Sequence, residues 1–209
     1  MVANRSIEFF DSQFRRQAAG GEVALNPFER AVLPHLEGSV LDIGCGIGNL
    51  ALAAAARGCK VLAVDASPAG VECLEARARA AHAPVEAAVA DARAFDTPRR
   101  FDGVVCIGLL MFFDCDTARA LLRRWQGWVR EGGVMAVNVL VEGTTYLDMF
   151  DPSGHCLWKP ADLDVAFAGW EVLHAAADEF PAPGATLKRF RTLIARKRAG
   201  ARGPIMAAR

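Results

Sequence analysis

The chain carries no surplus of charge: 24 basic and 24 acidic residues cancel across 209 positions. Nucleic-acid backbones and anionic membrane surfaces are held through an excess of cations, so neither is an expected partner. Lysine is confined to Lys60, Lys159, Lys188 and Lys197, and tyrosine to Tyr146. No stretch approaches the roughly 20 apolar residues of a membrane-spanning helix. The opening MVANRSIEFFDSQ places Arg5, Glu8 and Asp11 where a secretory leader needs an unbroken apolar run. The six cysteines lack any C-x-x-C spacing, which speaks against a zinc site or a disulfide framework and leaves them as small apolar residues. A cytoplasmic protein without a metal is expected; its oligomeric state leaves no trace in the sequence.

What is present is an alternation of strand and helix patterns, the mark of a mostly parallel sheet covered on both faces. Asn26-Pro27-Phe28-Glu29 opens a helix that Pro34 keeps short. Strands are predicted at 40–43, 60–64, 85–90, Phe101–Ile107 and 134–141. Helices are predicted at 49–57, after the Ser67-Pro68 cap, and from an Asp116 cap to Gly132-Gly133. In the last of these Leu121, Leu122, Trp125 and Val129 share a face, so Trp125 and Trp128 read as packing. Residues 170–180 and Thr186–Arg196 are strand-like and joined by PAPGA, a connection short enough only for an antiparallel pair. Between them and the fifth strand, residues 142–169 lack a core period and read as a cap. One domain spans 26–198, preceded by a helical segment at 1–25 and followed by a disordered tail at 199–209.

The most informative residues lie at 40–48, VLDIGCGIG, followed by VLAVDAS at 61–67. Gly44, Gly46 and Gly48 let the backbone turn tightly between strand and helix and let a ligand approach without an intervening Cβ. The helix behind them presents free N–H groups, and an acid ending the next strand, Asp65, can accept from a ribose diol. A dinucleotide site wants a third glycine where Asn49 stands. It has no use for Asp42, which would repel a pyrophosphate but suits an ammonium or a sulfonium.

LDIGCGIG followed by Asp65 resembles the class I S-adenosylmethionine-dependent methyltransferases. The resemblance implies a single-domain Rossmann-like fold, a seven-stranded mostly parallel sheet with helices on both faces and a C-terminal antiparallel hairpin. It implies S-adenosylmethionine as cofactor, with S-adenosylhomocysteine as product. Asp42, Gly44, Gly46 and Gly48 would line its methionine half, Asp65 and Ala66 its ribose, and Asp91 with Ala92 its adenine. Cys106 and Ile107 would stand beside the sulfonium. Phe9, Phe10 and Phe14 would close over the site, with Arg15 or Arg16 at the carboxylate. Methyl transfer needs orientation more than acid–base groups, so the lack of a Ser/His/Asp arrangement is no objection.

The C-terminal half is also similar to the tellurite-resistance methyltransferases, through GLLMFFDCD at 108–116 and RFRTLIARK at 189–197. That match would make Arg189 a contact for an oxyanion. This chain, however, has Asn49-Leu50 where that family has Arg-Asn, and its shortened hairpin lacks a His-Arg pair. For the acceptor side, Tyr146, Met149, Phe150, His155 and Trp158 are the organic-substrate candidates, with His155, Tyr146 and Arg189 the possible catalytic contacts. The expected function is methyl transfer to a small-molecule acceptor. The alternatives are tellurite or selenite methylation, a non-catalytic cofactor-binding module, and an NAD-dependent oxidoreductase.

Overall fold

The computed structural model describes residues 5–20, 24–151 and 154–200. Most of the disordered-tail expectation therefore falls outside the described residues. Helices α1(Arg5–Gly20) and α2(Pro27–Val32) lead into strand β1(Ser39–Ile43). Then come α3(Asn49–Ala56), β2(Lys60–Asp65), α4(Pro68–Ala80), β3(Val85–Val89) and β4(Phe101–Ile107). The chain ends with α5(Cys115–Trp128), β5(Val129–Leu140), α6(Pro160–Ala166), β6(Glu171–Ala182) and β7(Thr186–Arg196).

The strands form one seven-stranded sheet in the order β3-β2-β1-β4-β5-β7-β6. Pairings among β1 to β5 are parallel, and β7 runs antiparallel between β5 and β6. The order reverses beside β1, which opens a crevice at the carboxyl ends of β1 and β4, where open α/β sheets bind ligands. One face of the sheet packs on α5 and buries Leu41, Val104, Met135, Trp125 and Leu122. The other packs on α2 and α3 through Val40, Val105, Ala136, Leu50 and Ala54. Strands buried on both faces read as apolar runs for this reason.

Four expectations need correction. The cap of α5 is Asp114, whose carboxylate accepts from Thr117 N at 2.9 Å, two residues ahead of Asp116. Gly132-Gly133 does not close a helix: α5 ends at Trp128, and the glycines sit inside β5, whose register against β4 shifts there. The third concerns residues 142–169. Their second half is core, because Cys156, Trp158, Leu163 and Phe167 are buried in the α5-side cluster and Trp158 bridges to Val141. A Cys115–Cys156 disulfide staples this stretch to the start of α5, against the expectation of unpaired cysteines.

Candidate active site

The glycine turn is built by β1 running into α3. Gly44 and Cys45 both donate backbone N–H groups to Val64 O, at 2.8 and 3.2 Å, so the turn is anchored on the end of β2. Gly48 has φ +77° and is packed so closely on Leu74 of α4 that any side chain there would overlap it. Gly46 has φ +53° and faces Phe14 of α1, 2.9 Å from where a Cβ would stand. The turn is thus roofed by α1, which is held in place from beneath. Asp11 accepts from Ser67 Oγ at 2.6 Å and from Ala69 N at 3.2 Å at the start of α4.

Between this roof and the strand ends lies a cavity of about 490 Å³. Asp42, Gly44, Gly46, Asp65, Ala66, Asp91, Ala92 and Ile107 line it, as do Phe10 and Phe14. These are eight of the expected cofactor contacts, brought to one place by the sheet. Asp42 is only 5% exposed. Burial, helped by Glu29 and Asp65 nearby, pushes its pKa up to about 8. Asp65 accepts from Gly46 N and Ser67 N, each at 2.8 Å. It therefore ties the glycine turn to the α4 cap while retaining unused lone pairs. Burial raises its pKa despite those bonds. Asp91 pairs with Arg93 at 2.6 Å, which holds its carboxyl below the usual range. Arg124 of α5 fixes that turn by donating to Ala92 O and Arg93 O.

Other expected residues lie elsewhere. Gly48 serves the packing of α3 on α4 and is not on the cavity wall. Cys106 is fully buried on the α5 side, because alternate strand residues face opposite ways and Ile107 takes the cavity side. Arg15 turns outward to Asp11, and Arg16 bonds Ser12, so neither reaches the cavity. Arg189 pairs with Glu179 on the far face of β7; its neighbours Lys188 and Phe190 face the cavity instead. Tyr146 lies beneath the Lys188 ammonium, 4.6 Å from ring centre, and His155 stacks on Phe150; neither lines the cavity. Phe9 is exposed and does not line the cavity.

Among the lining residues that were not anticipated are Glu29, Asn138, Lys188 and Phe112. Glu29 is readable only as a helix-capping partner, a role it also performs with Asn26. Asn138 had a signal, a lone polar residue near the end of the apolar run VMAVNVL.

A buried, partly neutralised acid facing an open cavity invites a cation, and the bare backbone of the glycine turn provides a cradle. Residues 40–133 match the methyltransferase domain family. The fold is that of the class I S-adenosylmethionine-dependent methyltransferases. The chain superposes on TehB from Haemophilus influenzae with a TM-score of 0.75 at 17% identity, over 87% of this chain and 65% of that one. It spans less than two thirds of the length of TehB. The N-methyltransferase NodS from Bradyrhizobium japonicum WM9, solved with S-adenosylhomocysteine, matches with a TM-score of 0.67 at 17% identity, over 90% and 98% of the two chains. The [4+2]-cyclase SpnF matches with a TM-score of 0.69 at 19% identity, over 96% and 98%. At such identities the likeness is one of fold. No curated protein matches the chain in sequence.

Proposed function

We propose that the protein transfers the methyl group of S-adenosylmethionine to a small organic acceptor. The observation that carries this reading is the chemistry of the cavity beyond Ile107 and Gly108. Phe10, Met111, Phe112, Met149 and Phe190 make an apolar wall there. Arg15 and Arg189, cations that the oxyanion reading named, are spent on Asp11 and Glu179 outside it, which leaves Lys188 and the Asp91-paired Arg93 as the cations on its wall among the described residues.

When bound, S-adenosylmethionine supplies a methyl carbon already activated by positive sulfur. The chain's own residues hold, orient and dehydrate the reactants. Asp42 supports the cationic methionine half through its buried carboxylate, and Glu29 adds a second acid at that wall. Asp65 is poised to accept from ribose hydroxyls with the lone pairs its two backbone bonds leave over. Asp91 and Ala92 stand at the end of β3, where the adenine amino group would lie. The Phe10 and Phe14 rings of α1 close the site from above and exclude water.

The test is a methylation panel in which phenols, thiols and amines are set beside tellurite and selenite. Turnover of organic acceptors is expected; turnover of the oxyanions alone would replace this reading with the oxyanion one.

A further inference from the structure

Asn138 occupies a position for which the cofactor has no evident use. It sits near the carboxyl end of β5, paired in register with Ile107 of β4 on one side and Thr192 of β7 on the other. It is 1% exposed, and it lines the cavity. Its Nδ2 donates to Thr192 Oγ1 at 3.0 Å, which leaves Oδ1 as the free end of the amide. That Oδ1 is buried and has no hydrogen-bond partner among the described residues. A buried carbonyl left unbonded costs on the order of 1–3 kcal/mol, so an acceptor atom held in this way is worth explaining.

Further along β7, Lys188 also lines the cavity. Its ammonium rests on the Tyr146 ring and forms no ion pair among the described residues. The other cation on the wall, Arg93, is already paired with Asp91. Between Asn138 and Lys188 stands Phe190, backed by Phe28 of α2 at 5.0 Å between ring centres. Thr192, the partner of Asn138, lies four positions along β7 from Lys188, a span of roughly 13 Å.

Resting on the methyl-transfer reading, we infer that these residues form the acceptor subsite. Asn138 Oδ1 accepts from the O–H or N–H of the group to be methylated, the body of the molecule lies on Phe190 and Phe28, and Lys188 receives an anionic group at its far end. The substrate class is a hydroxy- or amino-bearing aromatic carboxylate or a molecule of the same layout. Burial holds Lys188 below the usual lysine range, and an arriving carboxylate would offset that cost. The hydrogen bond to Asn138 points the nucleophile's donor toward β5, which orients its lone pair toward the β4 end of the cavity. When the acceptor oxygen bonds to the methyl carbon, the sulfur–methyl bond breaks and its electron pair stays on sulfur as S-adenosylhomocysteine. The hydroxyl proton passes to solvent water through the mouth of the cavity. A product ether has no donor left for Asn138 and leaves.

The experiment is calorimetry on the full chain loaded with S-adenosylhomocysteine. The probes are para-hydroxybenzoate, para-hydroxyphenylpropionate, para-coumarate and their amino counterparts. Each is compared with its methyl ether or N,N-dimethyl form and with its neutral carboxamide. At least one free hydroxyl or amino acid probe should bind. Its methylated form and its carboxamide should each bind about tenfold more weakly. Asn138→Leu should abolish preference for the free hydroxyl, and Lys188→Met the preference for the carboxylate, each leaving S-adenosylhomocysteine affinity within about twofold of the parent. The inference is overturned if no probe binds, if ethers bind as well as phenols, or if either variant leaves its preference intact. It is also overturned if Lys188→Met or Asn138→Leu weakens the product cofactor rather than the probe. Should S-adenosylhomocysteine itself fail to bind the unaltered protein, it is the methyltransferase reading that fails, before the subsite is reached.

Discussion

Asp42 is a carboxyl group placed where ionisation is costly, and its behaviour with pH follows from that. Its pKa rises from an ordinary 3.8 to about 8 on folding. Below 3.8 both folded and unfolded chains hold the proton and nothing is lost. Between 3.8 and about 8 the unfolded chain ionises while the folded one does not, so stability falls as pH climbs through this window. Asp42→Asn removes the titration. The variant should gain on the parent in urea midpoint from about pH 4 to about pH 8, and a constant difference across that range would contradict the placement of the acid. The glycines separate by what faces them. Gly46→Ala meets only the Phe14 ring beyond its backbone strain of about 1–2 kcal/mol, whereas Gly48→Ala also overlaps Leu74 in the core. Thermal denaturation should therefore rank Gly48→Ala below Gly46→Ala; equal melting would show that the α3–α4 packing yields freely. The residue pattern D-x-G-x-G-x-G, with the acid ending VLAVD, was enough to place Asp42, Gly44, Gly46 and Asp65 on one cavity. It could not show that Asp65 also ties the turn to the α4 cap, because that bond joins residues brought together only by the fold.

Among the elements, β4 and β7 have the bounds their apolar runs predict, Phe101–Ile107 and Thr186–Arg196. The harder stretch is 142–169, where α6 has seven residues and only Leu163 is deeply buried in it. A helix that short has too few turns to display a period, and Trp158 reaches the core from a single bridge. The Cys115–Cys156 pairing, 41 residues apart, was equally silent, since nothing local marks the partners. Closing a loop of that size is worth about 2–4 kcal/mol. Cys156→Ser should lower the melting temperature in oxidising buffer, and reductant should bring the parent down toward the variant. Identical melting of both proteins in both buffers would mean that the staple contributes nothing. The same packing divides the expected cap in two. Amides at 156–167 should be protected like the sheet, while those at 143–150 exchange faster and slow when the cavity is filled. Uniform protection over the whole stretch would make it one packed connection with no moving part.

At the scale of the molecule, the sheet gathers the acids of β1, β2 and β3 at one end, roofs them with α1, and turns β5 and β7 toward the same space. Strand order was legible as a class of fold because alternating helices and apolar strands admit few topologies. Which side chains of β5 and β7 enter the cavity was not, because that depends on register: Arg189 and Lys188 are neighbours in sequence and opposite in facing. Among the described residues no helix is long and apolar enough to cross a membrane. The reading as a whole stands on the ligand that this end of the sheet accepts, and titration calorimetry of the intact protein with S-adenosylhomocysteine and with NAD tests it most directly. The expected result is saturable binding of S-adenosylhomocysteine, weakened about tenfold or more in Asp65→Asn by the loss of a charge-assisted bond, with no heat from NAD. Binding of NAD and none of S-adenosylhomocysteine would contradict it.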